Sequence, residues 1–213
     1  QNNNGNLGGS NSCPGDSSCP SWTNSGRIQK ALSFDGNGDY LSVANDNSLD
    51  VAGGNWTISL WMYPTTWSSN QMLIQKGHWN TSGYYLNIWD SKLYISSYAG
   101  AILRQAWTAA SPATINAWHH VTFVRNGSQA KIYIDGIDKT NQSGTFVDAS
   151  ADSMNMLIGT DDSFGQYFNG KLDEIKIYNF ALTEDQIKLD YNQGSTAVMG
   201  ALGTNSSYEK QAA

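Results

Sequence analysis

The chain has 213 residues, of which 39% are hydrophobic, and a formal net charge of −6. This apolar content suffices for one core of roughly 150–200 residues, while the acidic balance argues against a nucleic-acid-binding protein, which needs a basic footprint. No apolar run approaches the ~20 residues that span a bilayer, so no membrane insertion is expected within this chain. Only 14% of the residues are charged. A surface built from hydroxyls and amides is common in extracellular β proteins, so we expect a secreted or cell-surface location.

The two ends of the chain have the composition of linkers. Residues 1–27 are rich in Asn, Gly and Ser and contain too few apolar side chains to pack a core. Their cysteines, Cys13 and Cys19, predict a small disulfide loop in an oxidising compartment, with two free thiols as the alternative. Residues 195–213 form a second tail with a modest apolar patch at Val198–Leu202. Between the tails, residues 28–194 show short strands separated by turn dipeptides, which predicts one β-sandwich.

Three predicted strands, 56–63, 84–89 and 92–98, alternate aliphatic residues with a second set of mixed chemistry. Because side chains alternate across a sheet, the aliphatic set should face the core. The second set mixes Trp and Tyr with Ser, Thr and Asn, and such a surface suits sugars: rings stack on the sugar face while hydroxyls and amides bond its hydroxyl groups. The aromatic candidates are Trp61, Tyr63, Tyr85, Trp89, Tyr94 and Tyr98. The alternative is that these residues simply favour strands and pair across them.

Two polar loops offer a second kind of binding site, because sandwiches often recognise ligands at their rims. Residues 76–83 and residues 161–167 each carry aromatic, amide and charged groups between glycines. The candidate rim residues are His78, Trp79, Asp161 and Asp162, and Trp67 and Trp107 are expected nearby. Ordinary loop packing is the competing explanation for each residue taken singly. Asp161 and Asp162 are also candidates for a second metal ion at this rim.

The last part of the chain predicts a strand that leads into a short capped helix. From Leu172 to Tyr178 the residues alternate in character. Thr183 and Gln186 have the spacing of a capping box, and Leu182 can pack on Ile187 as a hydrophobic staple. Gly194 then suits the left-handed position at which helices often end.

This ending resembles that of the laminin-G-like, concanavalin A-like jelly-roll domains. Ala31–Val43 is similar to the opening hairpin of that family, and Trp118–Gly136 is similar to its central W-x-H-V…Y-x-D-G hairpin. The resemblance implies an all-β fold, namely a two-sheet antiparallel sandwich with one short C-terminal helix. It says little about activity, because this sandwich hosts lectins, adhesion modules, spacers and glycosidases.

The resemblance also implies a structural calcium ion where the opening hairpin meets the final strand. Its expected ligands are Asp35, Gly36, Asn37 and Asp173, with Asp39 as a weaker candidate. Oxygen ligands of this kind suit calcium. A plain turn at Asp35–Gly36 and a solvated strand pair at Asp173–Glu174 are the alternatives.

Catalysis finds little support in the sequence. No strand carries clustered acids, and Asp173 and Glu174 are adjacent, so we expect their side chains to point to opposite faces rather than flank one glycosidic bond. We therefore predict a non-catalytic carbohydrate-binding or adhesion module whose partner is a glycan, a glycoprotein or a cell-surface polysaccharide. A spacer or subunit of a surface fibre that self-associates through its tails is the alternative. A glycoside hydrolase or lyase comes third.

Overall fold

The protein is described here from a computed structural model, which covers the backbone of residues 5–7 and residues 19–51, 53–68 and 70–193. Within these ranges the chain forms short strands, one 3₁₀ turn and one α-helix. The strands are β1 Gly5–Leu7, β2 Ser21–Thr23, β3 Ala31–Asp35, β4 Leu41–Val43, β5 Trp56–Pro64, β6 Gln71–Lys76, β7 Tyr84–Trp89, β8 Lys92–Ala99, β9 Ile102–Thr108, β10 His119–Asn126, β11 Gln129–Ile134, β12 Ile137–Asp138, β13 Thr140–Ser143, β14 Met156–Ile158 and β15 Asn169–Tyr178. The 3₁₀ turn is Asn47–Leu49, and the helix α1 is Glu184–Asn192.

The strands form two antiparallel sheets. Sheet A has the order β1-β4-β14-β6-β7-β8-β9-β13, and sheet B has the order β12-β11-β10-β5-β15-β3-β2. The predicted all-β sandwich with one short C-terminal helix is thereby confirmed, and its strand order is that of a jelly roll.

The core lies between the sheets and is built from the predicted aliphatic faces. Ile58 and Leu60 of β5 belong to the same core cluster as Leu86 and Ile88 of β7, and all four side chains are fully buried. Each such side chain contributes roughly 1.5–3 kcal/mol when removed from water. The alternation in β5, β7 and β8 therefore predicted correctly which side faces inward.

A β-bulge interrupts the alternation of β15. The register with β5 shifts between Asp173 and Lys176, and Glu174 has a positive φ of 49°. Leu172 and Ile175 consequently both pack against the core, although strict alternation would place them on opposite faces. The simple reading of residues 172–178 was wrong here because one extra residue in a bulge reverses the parity of the strand that follows.

Helix α1 begins as predicted. The Thr183 side chain accepts from the Gln186 backbone, and the Gln186 side chain accepts from the Thr183 backbone, which together form a capping box. Leu182 packs against the cluster that contains the buried Ile187. The predicted helix end at Gly194 lies outside the described residues.

Two strands fall within the stretch whose composition predicts a linker. β1 pairs with β4, and β2 pairs with β3, so each lies at or near the edge of one sheet. Such strands are held mainly by backbone hydrogen bonds, which composition does not reveal. Cys13 and the tail residues Val198–Leu202 lie outside the described residues, so the disulfide and the role of the tail stay predictions. No helix in the described part of the chain is long and apolar enough to cross a membrane.

Candidate functional site

Helix α1 covers the outer side of sheet B. Ile187 is fully buried in a cluster with Val124 and Tyr133 of β10 and β11. The Asp190 carboxylate, 4% exposed, accepts from Ser59 Oγ at 2.6 Å. Because these contacts place the helix over the middle strands, most of this outer face is closed to a ligand.

The cover decides the environment of Trp61, one of the two predicted aromatic candidates on sheet B. Trp61 is 3% exposed, with the rings of His120 and Tyr191 at centroid distances of 5.2 and 5.7 Å. The Arg27 guanidinium lies 4.5 Å from the centroid of the same indole. Tyr63 lies further along β5, half-buried, with Lys171 Nζ 4.7 Å from its ring centroid. Trp61 and Tyr63 thus belong to sheet B and lie apart from the other four aromatic candidates, which belong to sheet A.

The outer side of sheet A has no such cover among the described helices and strands, since all strands lie within the two sheets and α1 lies on sheet B. We call the outward side of β6, β7, β8 and β9 the sheet A face. Its side chains form rows across the strands, defined by the pairing register, and two of these rows are relevant to binding. One row is Gln75, Tyr85, Ser96 and Gln105. The next row is Met72, Asn87, Tyr94, Trp107 and Gln142.

A stacked aromatic pair lies in the second row. The rings of Tyr94 and Trp107 have a centroid distance of 5.6 Å and an interplanar angle of 24°, and both residues are half-buried. The Tyr94 hydroxyl, the Trp107 indole N–H and the Asn87 amide have no hydrogen-bond partner among the described residues, although Asn87 is only 6% exposed. Trp89, at the end of β7, is 43% exposed. Apolar rings and free polar groups therefore meet on one uncovered surface.

Trp79 marks the other end of the sheet A face. Its ring packs edge to face on Tyr85 and Tyr98, both at 5.5 Å, and it is 46% exposed. Tyr85 and Tyr98 are almost completely buried, and Tyr85 donates its hydroxyl hydrogen to the Ser82 carbonyl at 2.8 Å. These two predicted candidates therefore support the Trp79 ring and present little of their own surface.

The loop that carries Trp79 is held by Asp152. Its Oδ2 accepts from Ser82 Oγ at 2.6 Å and from the His78 backbone N–H at 3.1 Å, and its Oδ1 lies 3.2 Å from Lys76 Nζ. Although burial opposes it, hydrogen bonds from Ser82 and Met154 and the Lys76 ammonium hold the pKa of Asp152 below its usual range. Asp152 and Lys76 were not among the predicted site residues. Their contact joins positions more than seventy residues apart, and the local sequence around either residue does not indicate it.

The two predicted rim loops meet. His78 Nδ1 contacts Asp162 Oδ2, and the Asp162 backbone N–H donates to Gln75 at 3.2 Å. Asp161 accepts instead from the backbone N–H groups of Gly165 and Gln166 at 2.8 and 3.1 Å. The structure thus brings His78 and Asp162 together, while the Asp161 carboxylate orders its own loop.

The predicted calcium ligands lie at two places along the paired strands β3 and β15. The register places Asn169 opposite Asp35, and Asp173 lies four residues further along β15, ~13 Å away at the usual strand rise. The Asp173 carboxylate accepts there from the Ile28 backbone N–H at 2.9 Å. Asp35 Oδ1 accepts from the Asn37 backbone at 2.7 Å, with Gly36 between them in the turn. Asp173 therefore lies apart from Asp35, Gly36 and Asn37 along the sheet, and the structural calcium ion stays a prediction.

His119 of the central hairpin is a hydrogen-bonded structural residue. Its Nδ1 lies 2.7 Å from Asp135 Oδ2, and its Nε2 lies 3.0 Å from Thr114 Oγ1. The hydrogen bond with Asp135 raises the pKa of His119 despite burial of the ring. The pair ties β10 to the turn that follows β11.

A cavity of about 380 Å³ opens between the sheets near Trp22. Its walls are mostly aliphatic, with Leu41, Ile175 and Ile177 among them. Trp22 and Phe34 contribute rings to its lining, but among the described residues that lining includes no amide or hydroxyl side chain to bond the hydroxyl groups of a sugar. The sheet A face is therefore the better candidate for a polar ligand.

The fold is shared with solved binding domains. One is domain 4 of AbnA, an extracellular GH43 arabinanase from Geobacillus stearothermophilus, solved with arabinotriose; it has a TM-score of 0.64 and 20% identity, over 88% of this chain and 87% of that domain. Another is the ligand-binding domain of botulinum neurotoxin serotype D, solved with N-acetylneuraminic acid; it has a TM-score of 0.61 and 18% identity, over 78% of this chain and 42% of that one.

In sequence, the chain is similar to part of adhesion G-protein coupled receptor V1 of Danio rerio. The identity is 27% over 179 residues, which cover 76% of this chain but only 3% of the receptor. The model of the laminin G 3 family, which belongs to the concanavalin A-like lectin/glucanases superfamily, matches residues 35–188. That match extends over most of the sandwich described above, from the end of β3 into α1, and the chain belongs to this family.

Proposed function

We propose that this chain is a non-catalytic, extracellular carbohydrate-binding module that binds sugar on the sheet A face. The stacked rings of Tyr94 and Trp107 carry the proposal, because the free groups of Asn87, Tyr94 and Trp107 surround them on an uncovered sheet. Aromatic rings contact the apolar faces of sugars, and unpaired hydroxyl, amide and indole groups can satisfy the sugar hydroxyls. Two structural neighbours solved with sugars support the same class of ligand.

The arrangement also explains why one sheet is favoured over the other. On sheet B the Trp61 ring is buried beneath His120, Tyr191 and Arg27. The exposed Trp22 lies on the edge strand β2, beside the mostly aliphatic cavity. On sheet A the rings of Trp79 and Trp89 remain about half exposed at the two ends of the face. A chain of several sugars can therefore run across sheet A between them.

The test is a glycan array, run with calcium and with a chelator, followed by titration of each hit. Trp107→Ala should weaken binding about ten-fold or more, the scale expected for loss of one stacked ring. Tyr94→Phe keeps the ring and removes only the hydroxyl, so it should have a smaller effect than Tyr94→Ala. Trp22→Ala is the matched control, because Trp22 is 63% exposed but lies on sheet B.

Three outcomes count against the proposal. Absence of any glycan hit in either condition would remove the carbohydrate-binding role. Full binding by Trp107→Ala combined with loss in Trp79→Ala would move the site to the rim loops. Release of reducing ends from a bound polysaccharide would show catalysis.

A further inference from the structure

The sheet A face continues into a groove at the edge of β9. The groove, of about 790 Å³, is lined by Arg104, Gln105, Trp107, Gln142 and residues 143–145. It forms because β13 pairs with β9 only as far as Ser143, which lies opposite Ala106. The earlier half of β9 is thereby left with an open edge among the described strands.

Arg104 presents its guanidinium at this open edge. The Gln105 carbonyl faces the β13 side, where it accepts from the Gly144 backbone N–H at 2.8 Å. Carbonyls two residues apart in a strand point the same way, so the Leu103 carbonyl faces the same edge. Arg104 Nη1 donates to that Leu103 carbonyl at 3.1 Å. The charged group therefore turns toward the groove.

The Arg104 charge is not balanced by a carboxylate. The chain has three arginines. Arg125 pairs with Asp148 at 2.7 Å, and Arg27 lies over the Trp61 ring at 4.5 Å. Arg104 takes part in no ion pair or ring contact among the described residues, and its neighbour's carbonyl is its only side-chain partner. Most donors of its guanidinium are thus free for an anion.

We propose that this groove binds the carboxylate of an acidic sugar, so that the ligand is a uronic-acid-type glycan with one ring on Trp107 and its carboxylate on Arg104. This rests on the proposed function above. Arginine suits the role because its planar guanidinium bonds a carboxylate with two parallel N–H donors. Arg104 and Trp107 start from opposite faces of β9, because side chains alternate along a strand. The bond to the edge-facing Leu103 carbonyl brings the Arg104 guanidinium to the groove that Trp107 also lines, so the apolar and the charged contact meet at this edge.

The experiment compares oligosaccharides of galacturonate, glucuronate and mannuronate, each beside its carboxyl-reduced form, by calorimetric titration of the full chain. At least one acidic form should bind about ten-fold more tightly than its reduced partner, the scale of one charge-assisted hydrogen-bond pair. Arg104→Gln should bring the two affinities within about two-fold, and Arg104→Lys should keep part of the difference. Trp107→Ala should weaken both forms.

Lys188→Gln is the control for the loss of one positive charge, because Lys188 lies on α1 over sheet B. Thermal unfolding of each variant establishes that it is folded. Equal binding of acidic and reduced forms, or a preference that survives in Arg104→Gln, would overturn the inference while leaving sugar binding in place. No binding of either form, together with an array that has no hits, would overturn both proposals.

Discussion

The Asp190 carboxylate of α1 accepts a hydrogen bond of 2.6 Å from Ser59 Oγ of β5. The same carboxylate lies 2.8 Å from Lys176 Nζ and 3.3 Å from His120 Nε2. One buried acid thus joins the helix to three strands of sheet B. Among the described helices and strands, this closure leaves sheet A as the face without a cover, which is where we propose that the ligand binds.

Removal of the Asp190 carboxylate should loosen this closure without affecting sugar binding. Asp190→Ala leaves Lys176 and His120 without their buried partner, which should lower the free energy of unfolding by about 3 kcal/mol. Urea unfolding measures the change. Leu189→Ala is the control, because Leu189 is on the same helix but 61% exposed. Equal stability of the two variants would show that Asp190 does not anchor the helix.

A fall in pH should also weaken the contribution of Asp190 to stability. Hydrogen bonds from His120, Lys176 and Ser59 hold the pKa of Asp190 below its usual range, although burial alone would raise it. A carboxyl whose pKa is depressed in the folded state stabilises the fold above its unfolded value, near 3.8, and loses that contribution as the pH falls.

The His119–Asp135 pair should make stability decline on the alkaline side of neutrality. The hydrogen bond with Asp135 raises the pKa of His119 above its ordinary value of 6.5. The contribution is therefore complete below about 6.5 and is lost as the pH rises through the folded-state pKa. Urea unfolding between pH 6 and pH 8.5 should show this fall in wild type and a flatter profile in His119→Gln. The same dependence of stability on pH in wild type and in His119→Gln would contradict the role given to the His119–Asp135 pair.

Gly83 should tolerate no side chain. Its φ is +80°, and a Cβ there would lie 1.8 Å from the Lys76 carbonyl oxygen. Gly83→Ala must therefore displace the loop that carries Trp79, and we expect a loss of about 2 kcal/mol or more. Gly100→Ala is the matched control, because its φ is also positive, at +60°, but a Cβ would meet no atom within 4 Å. Gly83→Ala should therefore lower the melting temperature more than Gly100→Ala does. Equal decreases in melting temperature would show that backbone strain alone accounts for both.

Local sequence determined much of this fold. The two-residue alternation in β5, β7 and β8 identified the core face, because a strand buried on one side must present its apolar residues at every second position. The Thr183–Gln186 spacing identified the start of α1, because a capping box satisfies its hydrogen bonds within four residues. The aromatic and amide composition of the opposite faces likewise pointed to a class of ligand.

The tertiary structure decided which of those residues can meet. Trp61 and Trp89 have similar local patterns, yet α1 buries the first, and the second lies at the uncovered end of β7. Asp173 and Asp35 were predicted to share one metal ion, but the register with β3 sets Asn169, not Asp173, opposite Asp35. Asn87, Tyr94 and Trp107 become neighbours only through strand pairing. The physical reason is that propensity and capping act over a few residues, whereas register, bulges and the docking of a helix depend on hydrogen bonds and packing between residues far apart in the chain.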